Sequence, residues 1–304
     1  MPIVLRPRRV LALGLLAMLA LIVSASAVRA GGALQGLRSD VRQGVAPPPG
    51  TSVLHTTAEE SSHDEDEHHH DHHDHHDACD DDFDDDGLLI GLFVLGLTSP
   101  FWGPPALLHD DYSRQSDFLD FPFKDDRCGC MVKKAYGDVG AKPWHLRLRG
   151  EYADDFDQLT RTGGHVLLDT TSRFGFDGEW NYRQEDLAGG GRDHLQTGDF
   201  NILFRFAQSE CIQMRTGLGV NWLSDDVGGE YGFNFTYGGD WMPAKPWILS
   251  AEIDWGTLGE VGLFHFRTTV GVVIQHAELY AGYDYFDVGG AQISGWVAGL
   301  RLWF

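Results

Sequence analysis

The chain has 304 residues, of which 42% are hydrophobic, and it carries a formal net charge of −22 at pH 7. Most of the imbalance lies in residues 59–86, which hold 15 acidic side chains and neither Lys nor Arg. The remaining 30 acidic and 23 basic residues give only a mildly acidic protein. This distribution excludes the basic footprint of a nucleic-acid-binding protein.

Residues 1–27 predict a secretory signal peptide. Arg6, Arg8 and Arg9 precede an apolar run over residues 10–23, and small residues with an A-x-A cleavage site follow. We expect cleavage after Ala27, with Ala30 as the alternative. An uncleaved membrane anchor is the competing interpretation, but the run is shorter than the roughly 20 residues that a spanning helix needs. An exported chain without such a helix can cross a membrane as a closed β-barrel.

Residues 28–86 predict a disordered linker that contains a His/Asp-rich run. Imidazole suits Zn, Cu and Ni, and carboxylate suits Ca, Mg and Mn, so a flexible run of both offers many overlapping ligand sets. We expect weak binding of divalent cations (Zn, Ni, Cu), and the alternative is a solvated acidic spacer. The candidate metal ligands are His63, His68, His69, His70, His72, His73, His75, His76, Asp71, Asp74 and Asp77.

Residues 87–143 predict an irregular hydrophobic and aromatic segment. Its first eleven residues, GLLIGLFVLGL, are too short to span a membrane as a helix and favour a strand or a hydrophobic plug. The four cysteines of the chain, Cys79, Cys128, Cys130 and Cys211, fit an oxidising compartment and allow three pairings into two bridges.

Residues 144–304 alternate between apolar and polar side chains with the period of a β-strand. Ten segments follow this pattern, beginning with Trp144, Leu146 and Leu148. In residues 163–183 the apolar side chains keep to positions of one parity, so a single long strand is possible there. The number of strands therefore depends on where a turn is placed in this stretch. We predict an antiparallel barrel of ten strands, with eight as the alternative. Short turns are expected around residues 208–210, 242–245 and 276, and longer loops at 184–193, 224–229 and 256–260.

The closing strand, QISGWVAGLRLWF, places Phe304, Leu302, Leu300, Ala298 and Trp296 on one apolar face. It resembles the last strand of bacterial outer-membrane β-barrels, which typically ends on Phe or Trp. The resemblance implies an outer-membrane location, with membrane lipid and the barrel-assembly machinery as partners. It also implies that Phe304 faces the periplasm, and we expect the N-terminal extension on that same side.

The opposite face of the strands carries charges of both signs, which must pair inside a lumen this narrow. We therefore expect a nearly closed barrel with a structural or binding role, in which Arg301 pairs with Glu151 or Glu278. No catalytic or cofactor-binding residue is assigned and no cofactor is required. A rim hydrolase or lipid-modifying enzyme is the remaining alternative, and its candidate residues are Asp193, His194, Glu260 and His265.

Overall fold

The computed structural model describes residues 32–44, 98–110, 115–133, 140–156 and 158–304. The signal peptide, the His/Asp run with its eleven candidate ligands, and Cys79 lie outside these ranges. The predictions made for them stay predictions.

Ten antiparallel strands close into a barrel in which each strand pairs with its neighbours in the chain and the last pairs with the first. The ten-strand prediction is therefore confirmed over the eight-strand alternative. The ambiguous stretch divides at residues 171–173, where Arg173 takes a φ of 70°. The strands are β3 (Trp144–Asp154), β4 (Leu159–Thr170), β5 (Phe174–Asp186), β6 (Arg192–Gln208), β7 (Ile212–Ser224), β8 (Gly229–Ala244), β9 (Trp247–Leu258), β10 (Val261–Ile274), β11 (Ala277–Val288) and β12 (Ala291–Trp303).

The two ends of the barrel differ in their connections. We call the end that carries Trp144 and Phe304 the Phe304 end, and the other the far end. Turns at the Phe304 end span two or three residues, and those at the far end span two to five. This contrast is smaller than the sequence predicts, because β5 and β9 continue into the expected loops and end at Asp186 and Leu258.

Residues before Trp144 form elements that the sequence did not predict. Helix α1 (Ala33–Gln43) lies within the predicted linker, and helix α2 is described over residues 98–108. Two short strands, β1 (Ser116–Phe118) and β2 (Met131–Lys133), pair into a small antiparallel sheet around one 3-10 turn. Among the helices in the described part of the chain, none is long and apolar enough to cross a membrane by itself.

Candidate functional site: a charged lumen between two apolar caps

The outer wall of the barrel is apolar and exposed. Side chains at alternate strand positions, such as Phe200, Ile202 and Leu218, are each more than half exposed. Their neighbours in the sequence point inward, because successive side chains on a strand alternate between faces. The wall therefore presents to its surroundings the residues that a soluble protein would bury.

Helix α1 closes the far end. Leu34, Leu37 and Val41 lie on one face of the helix and are fully buried. They pack inside the barrel mouth against a ring of inward-facing apolar side chains. The ring consists of Leu159, Leu195, Leu223, Leu258, Val261, Leu263, Phe286, Val288 and Ala291.

Polar contacts fix α1 at both of its ends. The backbone N–H groups of Ala33 and Leu34 donate to the two carboxylate oxygens of Glu185, at 2.7 and 3.0 Å. A carboxylate stabilises a helix N-terminus because the free N–H groups and the helix dipole favour negative charge there. At the other end, Arg42 donates to Asp225 at 2.7 Å. Arg38 contacts Asp225 as well, at 2.8 Å.

Asp225 lies in the β7–β8 turn at the far end, and the pKa of its carboxyl depends on these partners. Burial acts to raise the pKa of its carboxyl. The hydrogen bonds from Arg42 and from the backbone N–H groups of Val227 and Gly228 outweigh burial and lower the pKa to about 2. The contact between α1 and this turn therefore uses the ionised carboxylate.

The middle of the lumen holds a network of buried charges, centred on Arg267. Its guanidinium donates to both oxygens of Glu179, at 2.6 and 2.9 Å, and to Asp284 at 3.0 Å. It also lies 3.1 Å from Glu151. Arg161 contacts Glu151 at 2.7 Å and Asp284 at 3.2 Å. These two carboxylates, from different strands, therefore each contact both Arg161 and Arg267.

A second group of paired charges lies closer to the Phe304 end. Arg147 donates to Asp240 at 2.9 Å. Arg301 donates to Glu278 at 2.7 Å, and the Trp303 indole N–H donates to the same carboxylate at 3.0 Å. The predicted pairing of Arg301 with a lumenal carboxylate is confirmed, with Glu278 as the partner.

Little space is left between these side chains. Two cavities lie inside the lumen, one bordered by Asn181 and His265 and the other by Arg147 and Arg301. Their volumes are about 20 and 10 Å³, and each holds no more than about one water molecule.

The small β1–β2 sheet closes the Phe304 end. Phe118 is fully buried and stacks on His145, with ring centroids 5.5 Å apart. A disulfide joins Cys128 to Cys211 in the β6–β7 turn, which settles one of the pairings that the sequence left open. Cys130 is a buried free thiol, and burial raises its pKa to about 12. Cys130 is therefore not poised for thiolate chemistry.

Three lumenal side chains could hold a cation. One ligand atom from each of His165, Asp177 and Glu252 lies within 4.8 Å of the others. The imidazole and the two carboxylates come from different strands, and sequence reasoning did not single them out as a set. Their environment also contains Arg149, which faces His165 across the β3–β4 pair.

The residues that suggested a rim enzyme do not meet in one site. Asp193 receives both guanidinium N–H groups of Arg38 at 2.6 Å, while the ring of His194 packs on the outward Tyr182. His265 lies inside the lumen and bonds to Asp254 and Asp284, at 3.0 and 2.9 Å.

Sequence reasoning missed two members of the network, Arg161 and Asp240. Both have the inward parity of their strands and are almost fully buried. Extending the alternation by a few residues along β4 and β8 would have included them.

A closed antiparallel barrel with an apolar outer wall and a polar, charged interior is the architecture of a transmembrane β-barrel. The described strands therefore have the architecture of an outer-membrane-type β-barrel, as the closing strand suggested.

Solved structures with a similar fold include bacterial outer-membrane proteins. The N-terminal β-barrel domain of Pseudomonas aeruginosa OprF is 10% identical, with a TM-score of 0.29, and the match covers 53% of this chain and 97% of that chain. Yersinia pestis Ail in a phospholipid nanodisc is 11% identical, with a TM-score of 0.31 and coverage of 53% and 99%. The crystal structure of Ail from Yersinia pestis is 10% identical, with a TM-score of 0.27, and the match covers 53% of this chain and 96% of that chain.

At these TM-scores the likenesses carry no argument of their own. No protein-family model matches the chain, and no curated protein matches it. The class rests on the barrel geometry described above.

Proposed function

We propose that the protein is a closed membrane anchor that carries its N-terminal extension, rather than a pore for solutes. The observation that supports this proposal is the filling of the lumen in three layers. Apolar caps occupy both mouths, and the paired charges around Arg267 and Arg301 occupy the space between them. Each layer would have to be displaced before an ion could pass.

Conductance of the purified full-length protein in planar lipid bilayers tests this proposal. We expect no steady conductance above that of the bare membrane. An open porin inserted under the same conditions is the positive control, and heat-modifiable gel migration establishes that the sample is folded. Stepwise, reproducible current through the folded protein would contradict the proposal.

We propose divalent-cation binding by the extension as a second function. The density of imidazole and carboxylate between His63 and Asp77 supports it. Because imidazoles titrate between about pH 5 and 8, binding is expected to weaken as the pH falls through that range.

Zinc or nickel titration of the folded full-length protein separates this function from the lumenal candidate. A variant with all eight histidines of the run changed to Asn is expected to lose binding, whereas His165→Asn is expected to keep it. Equal binding by the wild type and the eight-histidine variant would assign the ions elsewhere.

Insertion by the barrel-assembly machinery remains part of the proposal. The closed barrel with its apolar outer wall supports it.

A further inference from the structure

The N-terminal region has contacts at both ends of the barrel. Helix α1 is seated in the far mouth, and the β1–β2 sheet is bound at the Phe304 end through Cys128 and Cys211. In a membrane these ends lie on opposite sides of the bilayer. The chain between α1 and β1 must therefore pass from one side to the other. It cannot pass through the lumen, which is filled by buried side chains.

One part of this connection has the composition of a membrane crossing. Residues 87–108 form a run of 22 residues without a charged side chain, bordered by Asp86 and His109. That length exceeds the roughly 20 residues that a helical span needs. The acidic run over 59–86 cannot enter hydrocarbon because each charge there is costly. Residues 45–58 are uncharged apart from His55 but number only 14, which is short of that length.

The described half of the uncharged run already lies on the outer wall. The Tyr237 hydroxyl donates to the Pro100 carbonyl oxygen at 2.9 Å. The Phe101 ring packs against the rings of Phe206, Phe235 and Tyr237, with centroids 6.0, 6.3 and 5.8 Å away. After α2, the Asp110 carboxylate accepts two hydrogen bonds from Arg173 at 2.8 Å, at the rim of the Phe304 end.

The remaining distance to the far end matches the remaining residues. Phe235 lies six residues from Gly229, where β8 begins at the far end, and this corresponds to about 20 Å of strand. Residues 87–100 would span about 21 Å as a helix. Between Phe101 and the far end, the outer wall is apolar and no described residue covers it. Tyr231, Phe233 and Val220 on this part of the wall are 70%, 52% and 48% exposed.

We propose that residues 87–97 dock on this outer surface of β7 and β8, so that residues 87–108 cross the bilayer beside the barrel. The His/Asp run then lies on the far side of the membrane, with α1, and opposite Phe304. With Phe304 in the periplasm, the run is presented at the cell surface, and divalent cations would meet it there. This placement is the reverse of the one expected from the sequence, and it does not depend on whether the barrel conducts.

Epitope insertion tests the placement in intact cells. The test tag is inserted after Ala58, next to the acidic run. A tag between Gly189 and Gly190 marks the far end, and a tag between Gly140 and Ala141 marks the Phe304 end. Gly189, Gly190 and Gly140 are exposed, and Ala141 is half-buried. Antibody binding is measured before and after permeabilisation of the outer membrane, and heat-modifiable migration shows that each barrel is folded.

We expect the Ala58 tag to behave as the Gly189 tag does and the Gly140 tag to behave oppositely. If the Ala58 tag instead follows the Gly140 tag, the extension lies on the Phe304 side and the proposal is overturned. As a second measurement, Leu95→Asp places a charge inside the crossing and is expected to reduce the surface-accessible fraction of the Ala58 tag. Leu54→Asp, in the proline-containing stretch, is the matched control and is expected to leave that fraction unchanged.

Discussion

Arg267→Met is expected to destabilise the barrel more than any substitution at a surface ion pair. The guanidinium of Arg267 contacts Glu151, Glu179 and Asp284, and its side chain is only 2% exposed. Removing one partner of a buried pair leaves an uncompensated charge, which typically costs about 3–5 kcal/mol. Met keeps much of the side-chain volume, so the loss reports mainly on charge.

Urea unfolding of the protein refolded into lipid vesicles, followed by heat-modifiable migration, measures the change. Arg192→Met is the control, because Arg192 pairs with Asp186 at 3.0 Å while both side chains are about two-thirds exposed. Such a pair contributes about 0–1 kcal/mol. In the double variant Arg267→Met/Glu179→Gln, part of the loss is expected to return. A loss of unfolding free energy in Arg267→Met no larger than that in Arg192→Met would refute the idea that the lumenal network stabilises the barrel.

Two further outcomes follow from the caps. Cys128→Ser removes a disulfide that spans 83 residues of sequence, and the chain-entropy model gives a loss of about 4–5 kcal/mol in the free energy of unfolding. Limited proteolysis should then cut residues 115–133 while the barrel persists. Equal resistance of the wild type to the protease before and after reduction of the disulfide would contradict this. Asp225→Asn should loosen α1, measured by hydrogen exchange at Leu37. In the wild type, the carboxylate stabilises docking fully above about pH 4, its ordinary pKa, and this contribution should be lost as the pH falls through about 2. A protection factor at Leu37, corrected for the intrinsic pH dependence of amide exchange, that is the same at pH 5 and at pH 2 would contradict this.

The barrel itself was accessible to sequence reasoning because its two faces differ so strongly. Each strand alternates between side chains that face lipid and side chains that face the lumen, so period and parity together locate the strands. The count of ten depended in addition on placing a turn within residues 163–183. The pairing of Arg301 with a lumenal carboxylate followed from the same argument, since an inward charge in a narrow lumen needs a partner. Of the two partners expected, Glu151 and Glu278, the structure has Glu278.

Helix α1 was missed for a physical reason. Six of its eleven residues are polar or charged, and a helix this short is stable only when packed. The signal lay elsewhere in the chain. Leu195, Leu223 and Leu258 have inward parity but are apolar, which a purely charged lumen does not explain. Inward leucines near the far end of several strands indicate a missing apolar partner, and Leu34, Leu37 and Val41 supply it.

The crossing that we propose, residues 87–108, was not predicted from the sequence because its run was divided into two segments. Thr98, Ser99 and Pro100 read as the end of an eleven-residue hydrophobic stretch, although no charge follows until residue 109. In water this division is sensible, because Pro and Ser favour turns. On a barrel wall the same residues can be accommodated, since the Tyr237 hydroxyl satisfies the Pro100 carbonyl. Whether residues 87–108 form one segment or two therefore depends on their contacts with the barrel wall and not on their sequence alone.

The two caps and the crossing we propose would together account for the uneven composition of the N-terminal region. Leu34, Leu37 and Val41 of α1 match the apolar far mouth, and Phe101 packs on aromatic side chains of the outer wall. The His/Asp run carries charges that favour water. In the arrangement we propose, α1 and residues 87–108 would hold the two ends of this run on one side of the membrane. Its imidazoles and carboxylates would then be available there to divalent cations, which is the second function proposed for the chain.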